Sequence, residues 1–202
     1  MPEVSAPELE VIRRALATTA FDDHPAGRMQ AAVALVLAGE PSDLHLCLIR
    51  RAEHQHDRWS GHVALPGGRV DLRDMSARAA AVRETSEEVG LQLARAACLG
   101  LLGAMPVSAA GQPTGMSLYS FVFHLGEMLE PLVPSDEVAE GYWVPLRHLL
   151  DVRNAAYRRT LRDGLTLDRP AVMYQGHHIW GLTYRVLTTF FERLQLQIPT
   201  PE

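Results

Sequence analysis

Apolar positions along this chain follow two periods, and the switches between them mark most of the elements. The run over 29–37, MQAAVALVL, carries one amide and no charge, which predicts a strand buried on both faces. Gly39-Glu40-Pro41-Ser42-Asp43 has turn chemistry and a second apolar run follows over 44–49, so the pair reads as a hairpin. Over 118–125 the alternation is plain: Leu118, Ser120, Val122 and His124 on one side, Tyr119, Phe121 and Phe123 on the other. Shorter strands are expected at 63–65 and 98–102, a basic loop or hairpin over 152–169, and a strand-like stretch over 170–178. The segments 21–28 and 108–115 read as loops, the second a flexible one. Helical spacing recurs over 7–17 (Leu9, Ile12, Leu16), in the alanine-rich stretch after Ser76, over 146–150 and over 179–194.

The helix after Ser76 carries the chemistry. Ser76 is an N-cap, Ala, Arg and Glu are strong helix formers, and Gly90 is a natural stop. Helical geometry puts Glu84, Glu87 and Glu88 within one arc of roughly 100°. Ala77 and Ala80 share that face, so nothing bulky covers it, while Val82 and Val89 point towards a core. Three carboxylates on one face repel, which leaves two readings. One is a solvated acidic face with Arg78 and Arg83 as counter-charges. The other is a Mg²⁺ or Mn²⁺ site for phosphate chemistry, since hard cations take oxygen ligands. Pro66-Gly67-Gly68 favours the second, because paired glycines bring backbone close to an ion or phosphate.

Composition narrows the class. A chain of 202 residues suits one domain, and its hydrophobic and charged fractions, 47% and 21%, are those of an ordinary globular protein. A net charge of −5 argues against a nucleic-acid partner held on a broad basic surface. Cys47 and Cys98 lie in apolar runs without Cys-x-x-Cys spacing and read as reduced core residues. No apolar run approaches the roughly 20 residues of a membrane span, and the N-terminus lacks a signal-peptide core. The expectation is a cytoplasmic protein with no membrane partner. His54, His56 and His62 raise a zinc reading, but without Cys or fixed His spacing they fit substrate contacts or plain loop histidines better.

Gly68, Arg83, Glu84, Glu87, Glu88, Gly90 and Leu91 stand at the spacing of the Nudix box, and the chain resembles the Nudix hydrolases. Three departures stand out. Asp74 occupies the place of the first Glu, one extra residue separates it from Arg83, and Thr85 fills a usually aliphatic position. The resemblance implies an α/β fold, an α/β/α sandwich with a mixed central sheet over 29–195. An N-terminal arm or helix at 1–28 and a tail at 196–202 flank it. It also implies Mg²⁺ or Mn²⁺ held by Glu84, Glu87 and Glu88 with the Gly68 carbonyl, and carboxylates oriented by Arg83. Glu88 is alternatively the base, and Glu137, ahead of Glu140, returns from a later segment to the metals or the water. The catalytic set is then Glu87, Glu88, Arg83 and Glu137. Members are often dimers, and an exposed arm at 1–28 offers an interface for a homodimer.

Leu48, Arg51, Gly61, Pro66, Gly67 and Gly68 also resemble the signature of the coenzyme A diphosphatase branch, with one residue inserted. Ala52 and Leu65 replace a Ser and a Phe, and Arg58 stands for the second arginine. The segment from His178 to Thr183 is similar to that branch too, with Trp180 as a packing residue and Tyr174 and His177 near a nucleotide pocket. Arg50, Arg51 and Arg58 are candidate phosphate clamps, with Gly67 beside them. The implied reaction is hydrolysis of a nucleoside diphosphate-linked small molecule, coenzyme A or a derivative. Its products would be a phosphopantetheine compound and adenosine 3′,5′-bisphosphate. ADP-ribose, a dinucleotide or a nucleoside triphosphate is the next substrate class. A Nudix-fold binding module without catalysis is the third reading, and the retained Arg83, Glu84, Glu87 and Glu88 argue against it.

Overall fold

The computed structural model describes residues 6–17, 26, 29–55, 59–109, 112–162 and 164–201. In chain order the elements are α1 (Leu9–Leu16), β1 (Gln30–Ala38), β2 (His45–Arg51), β3 (Val63–Ala64), β4 (Gly67–Arg69) and α2 (Ala77–Val89). They continue with β5 (Ala97–Ala109), β6 (Gln112–His124), β7 (Val138–Pro145) and α3 (Leu146–Leu150). The last are β8 (Ala155–Arg162), β9 (Leu165–Tyr174), β10 (His177–Trp180) and α4 (Gly181–Arg193). The loop expected over 21–28 lies outside the described residues except for Ala26.

The charge-free run of β1 is at the centre because it can be buried on both sides. Leu35 and Leu37 join a cluster with Leu46, Leu48, Val122 and Val144, closed by Ile12 and Leu16 of α1 and by Leu187, Phe190 and Phe191 of α4. Ala32, Ala34 and Val36 point the other way, with Cys47, Ile49, Phe121 and Phe123, against Ala77, Ala80, Ala81 and Val89 of α2. Alternation along β1, β2 and β6 thus makes two apolar layers. The result is the expected α/β/α sandwich. Its sheet is mixed: β1 runs parallel to β6 from Gln30↔Ser117 to Leu37↔His124, and its other contacts are antiparallel.

The feature that positions the site is a fork between β1 and β2. They pair only at the turn end, Leu37↔Leu46 and Ala38↔His45. Beyond it β2 pairs with β3 through Ile49↔Ala64 and Arg50↔Val63, while β1 pairs with β4 through Val33↔Gly67 and Ala32↔Gly68. The bend between β3 and β4 is tied into the fork by the Ala34 N–H, which donates to the Pro66 carbonyl at 2.9 Å. The glycine pair is therefore short strand rather than free turn, and β7 covers the outer edge of β2.

Two expectations change, and one left open between loop and hairpin resolves. The segment over 108–115 is not an open loop: β5 and β6 extend through it, with Ser108↔Pro113 and Ala109↔Gln112 paired. The helix in the 1–28 segment is not a free arm. Leu9, Ile12 and Leu16 are buried in the domain's own core, and the Leu9 N–H donates to the Pro41 carbonyl. The basic stretch after 152 is a hairpin, β8 and β9, which β10 extends into a separate three-stranded sheet.

Gly67 has φ +146, and a Cβ there would lie 2.2 Å from the Ala32 carbonyl oxygen and 2.6 Å from the Val33 Cα. Both obstacles are backbone of the central strand, so neither yields cheaply. Gly67→Ala is expected to destabilise the fold by about 3 kcal/mol or more, read as the shift in urea unfolding free energy. A shift below about 0.5 kcal/mol would show that the fork is not held closed at this point.

Candidate active site

Helix α2 begins and ends as its sequence dictates. The Ser76 hydroxyl accepts from the Ala79 N–H at 3.2 Å, and Gly90 adopts the left-handed conformation at φ 75°. The last carbonyls of such a helix need outside donors. Here the Val133 N–H donates to the Val89 carbonyl and the Ser135 N–H to the Glu88 carbonyl, at 2.9 and 3.0 Å. That pins the loop before β7 across the helix end. Glu84, Glu87 and Glu88 from the helix and Ser135, Asp136 and Glu137 from the loop line one cleft of about 450 Å³.

The acidic stripe runs along the edge of the packed side of α2: Glu88 is buried, Glu84 half-buried and Glu87 exposed. Ala77, Ala80 and Ala81 are fully buried against the sheet, and their small size lets helix and β4 come close. Glu84 and Glu88 continue that line to where the fork opens. A Cβ on Gly68 would stand 2.6 Å from the Glu84 carboxylate, so only glycine fits beneath it. Glu88 is 3% exposed, and its Oε2 accepts from the Gly67 N–H at 2.8 Å. Its Oε1 lies 3.9 Å from Arg51 Nη1. Burial pushes its carboxyl pKa up to about 7, opposed by the Gly67 bond and assisted by Glu84. Glu84 is also raised, first by burial.

Arg83 organises the remaining carboxylates. Its Nε and Nη2 donate to both oxygens of Asp74, at 2.9 and 3.0 Å. Its Nη1 donates to Glu84 at 3.0 Å and to Glu87 at 2.9 Å, and Nη2 also reaches the Arg69 carbonyl at 3.3 Å. The pair with Arg83 holds the Asp74 carboxyl below its ordinary value. Thr85 is fully buried, and its hydroxyl donates to the Ala81 carbonyl at 2.7 Å, which satisfies a polar group on an apolar face.

The other expected residues divide. Arg51 lies beside Glu88, its Nη1 3.9 Å from Oε1, and Glu137 lines the cleft. Arg50 points to the opposite face of β2, where its Nε donates to Glu140 at 3.2 Å. The same carboxylate oxygen accepts from Tyr142, and burial is the main reason the Tyr142 hydroxyl titrates above its usual range. Glu140 is thereby drawn away from the cleft, and Arg50 does not face it as a clamp. The Gly67 N–H is committed to Glu88 and is not open to a phosphate. Arg58 and His56 lie outside the described residues. Ser135 and Asp136 were not singled out from sequence; their signal was position, immediately before Glu137 and after Pro134.

The donor set fits a hard divalent cation, with a qualification of geometry. Among the described residues no three His, Cys, Asp or Glu side chains stand at ligand spacing around one point. Glu84 and Glu87 lean to Arg83 and Glu88 to Gly67, as like charges without a shared cation should. Each commits one oxygen to these hydrogen bonds; the second oxygen of Glu88 lies 3.9 Å from Arg51 Nη1, and all three side chains line the cleft. Oxygen-only donors suit Mg²⁺ or Mn²⁺ rather than zinc.

The raised carboxyl of Glu88 makes a stability prediction. The folded state binds this proton more tightly than the unfolded one. Its contribution is therefore full below pH 4.5 and is lost as pH rises through about 7. Glu88→Gln stays neutral throughout and keeps an acceptor for Gly67. In chelator, the variant should gain on the wild type by on the order of 3 kcal/mol between pH 4.5 and pH 8, read by urea unfolding. A gap constant with pH would show that Glu88 titrates normally.

Residues 27–164 match the NUDIX domain. Over 201 residues the chain is 32% identical to the mitochondrial coenzyme A diphosphatase NUDT8 of Homo sapiens, a match spanning 98% of this chain and 82% of that one. It is 31% identical over 176 residues to the uncharacterized Nudix hydrolase NudL of Photorhabdus laumondii, spanning 82% and 85%. Its backbone is similar to a MutT/nudix family protein of Enterococcus faecalis, with a TM-score of 0.54 and 20% identity, over 84% of this chain and 62% of that one. None of the described helices is long and apolar enough to cross a membrane. The mitochondrial name of the human relative leaves the expected cytoplasmic location resting on sequence alone. A domain match over most of the length, on a sandwich whose carboxylate helix and glycine strand meet in one cleft, places this chain in the Nudix hydrolase family of pyrophosphohydrolases.

Proposed function

We propose that this Nudix hydrolase cleaves the diphosphate of coenzyme A or a derivative, with Mg²⁺ or Mn²⁺ held by Glu84, Glu87, Glu88 and the Gly68 carbonyl. The observation that carries the reading is the cleft itself, lined by three helix carboxylates with Asp136 and Glu137, and with Arg51 3.9 Å from Glu88. Such a surplus of acid cannot attract a diphosphate by itself; it suits a cation that the diphosphate then shares. A bound divalent ion supplies a water of lowered pKa and offsets charge on the leaving phosphate.

The chain's own groups have separable tasks. Arg83 is a positioning residue: with its guanidinium locked on Asp74, it holds Glu84 and Glu87 in fixed rotamers. Arg51, beside Glu88, is the cation placed to meet a substrate phosphate. Two carboxylates are placed to take the proton of the attacking water. Glu137 lies across the cleft from the helix, and Glu88, near neutrality in its pKa, is the alternative. Support for coenzyme A comes from the human diphosphatase, similar over nearly the whole chain, and from the Arg51, Gly61 and Pro66-Gly67-Gly68 pattern.

Incubation with Mg²⁺ or Mn²⁺ and a panel of diphosphates should yield adenosine 3′,5′-bisphosphate from coenzyme A, and nothing in chelator. Preference for ADP-ribose, a dinucleotide or a nucleoside triphosphate would move the substrate assignment. Binding without turnover of any member would make the protein a nucleotide-binding module. Glu87→Gln should lower kcat by on the order of 100-fold. An unchanged rate in that variant would remove Glu87 from the metal set.

A further inference from the structure

A second pocket lies on the other side of β2 from the acidic cleft, and its chemistry is opposite. It encloses about 90 Å³ between the turn at Gly61 and the three-stranded sheet, and is lined by His62, Arg158, His177, His178 and Trp180. Pairing explains how these residues meet. Arg158 stands opposite Arg169, Ala171 opposite both Ala156 and Trp180, and Met173 opposite His178. Residues paired across a ladder share a face, as do alternate residues along a strand. Arg158, Arg169, His178 and Trp180 therefore project from one face, with small Ala156 and Ala171 leaving room between them. The Arg158 guanidinium lies 5.8 Å from the Trp180 ring centre, and the His62 ring is 4.9 Å from it on another side.

This arrangement is unfavourable unless something negative enters it. Like charges directly opposite in a ladder destabilise it. The neighbouring pair, Arg159 and Asp168, forms an ion pair at 3.0 Å. Arg158 and Arg169 have no carboxylate within ion-pair distance among the described residues. No Asp or Glu lines the pocket. Two acids border it: Glu53, whose carboxylate lies 3.8 Å from a Cβ placed on Gly61, and Glu140, 3.9 Å from His177 Nε2 by an oxygen that already serves Arg50 and Tyr142. Burial and then the charges of Arg158 and His177 hold His178 below its ordinary pKa, a strain that a bound anion would relieve.

Size fixes the kind of anion. The space is far below the roughly 300–1,000 Å³ that encloses a drug-sized ligand, so it takes one small group and not a base or sugar. An arginine fork with imidazole donors suits a phosphate. The pocket also adjoins the cleft: the His62 carbonyl accepts from the Arg51 N–H at 3.0 Å, and the Arg51 side chain reaches Glu88.

We propose that this pocket is a phosphomonoester subsite, which receives a substrate phosphate lying outside the scissile diphosphate and so selects compounds that carry a third phosphate. Identification of that group as the 3′-phosphate of coenzyme A rests on the function proposed above. The subsite itself rests on the pocket lined by Arg158, His177, His178 and Trp180, with Arg169 paired opposite Arg158.

The test compares coenzyme A with 3′-dephospho-coenzyme A in the full chain. The wild type should prefer coenzyme A in kcat/KM, through KM. Arg158→Ala, an exposed position that leaves the fold intact, should reduce that preference at least tenfold, and His178→Gln should reduce it in the same sense. No preference in the wild type, or equal loss on both substrates in the variants, would overturn the subsite. If neither compound is turned over, the coenzyme A reading fails, and calorimetric titration decides the pocket separately. Adenosine 3′,5′-bisphosphate binding more tightly than adenosine 5′-monophosphate, with the difference lost in Arg158→Ala, supports it. Equal affinity for the two nucleotides refutes it.

Discussion

The bond from the Gly67 N–H to the buried Glu88 carboxylate is the constraint on which the site depends. It joins the last turn of α2 to a strand that exists only because β1 and β2 diverge. Without the fork there would be no free amide at that height of the sheet; without the glycine the strand could not approach Ala32 and Val33. Burial at that junction removes the carboxylate from water and lifts its pKa to about 7, against the Gly67 bond, which lowers it. A carboxylate in that state is costly to the fold and useful to a cation, because a metal supplies the charge that burial withholds. Stability and function thus oppose one another at a single side chain.

Much of this was legible in the sequence because it is written in short-range pattern. The charge-free run at 30–38, the alternation at 118–124, the Ser76 cap and the Gly90 stop each specify local structure with no help from the rest of the chain. The acidic stripe was legible as a stripe, but its face was not. Small alanines next to glutamates read as an uncovered surface, whereas the same alanines allow close packing on a sheet. Which of two readings holds depends on β4, and β4 is a product of the fork. Pairing of β5 with β6 through 108–115 was hidden for a like reason. Gly, Pro, Ser and Thr signal a loop locally, and only the long partner strand makes them a ladder.

Adjacent positions on β2 show how one alternation divides labour. Arg50 and Arg51 read alike in a sequence, since both are cations closing a strand beside a loop. Period two sends Arg51 towards Glu88 and Arg50 towards Glu140, Tyr142 and His177. Glu137, just before β7, and Glu140, within it, also separate, one lining the cleft and the other paired with Arg50. The sheet thereby keeps an acidic surface and a basic one apart by the thickness of a strand. Their charges would otherwise cancel each other rather than face a ligand.

The departures from the Nudix box are explained by the same geometry rather than by loss of the site. Asp is one methylene shorter than Glu, so a carboxylate supplied from Asp74 must start nearer to Arg83. The extra residue between them gives the chain that freedom. The turn before α2 uses it: the Asp74 N–H donates to the Asp71 carbonyl, and the Asp71 N–H donates to Asp74 Oδ2 at 2.7 Å. Held at both ends, Asp74 meets the guanidinium with two oxygens, and Arg83 is then fixed before it touches Glu84 or Glu87. Rigidity of Glu84 and Glu87 is thus set one step away from them, by a residue that does not line the cleft. A shorter acid and a longer loop are a matched pair, and changing either alone would loosen the arginine that both serve.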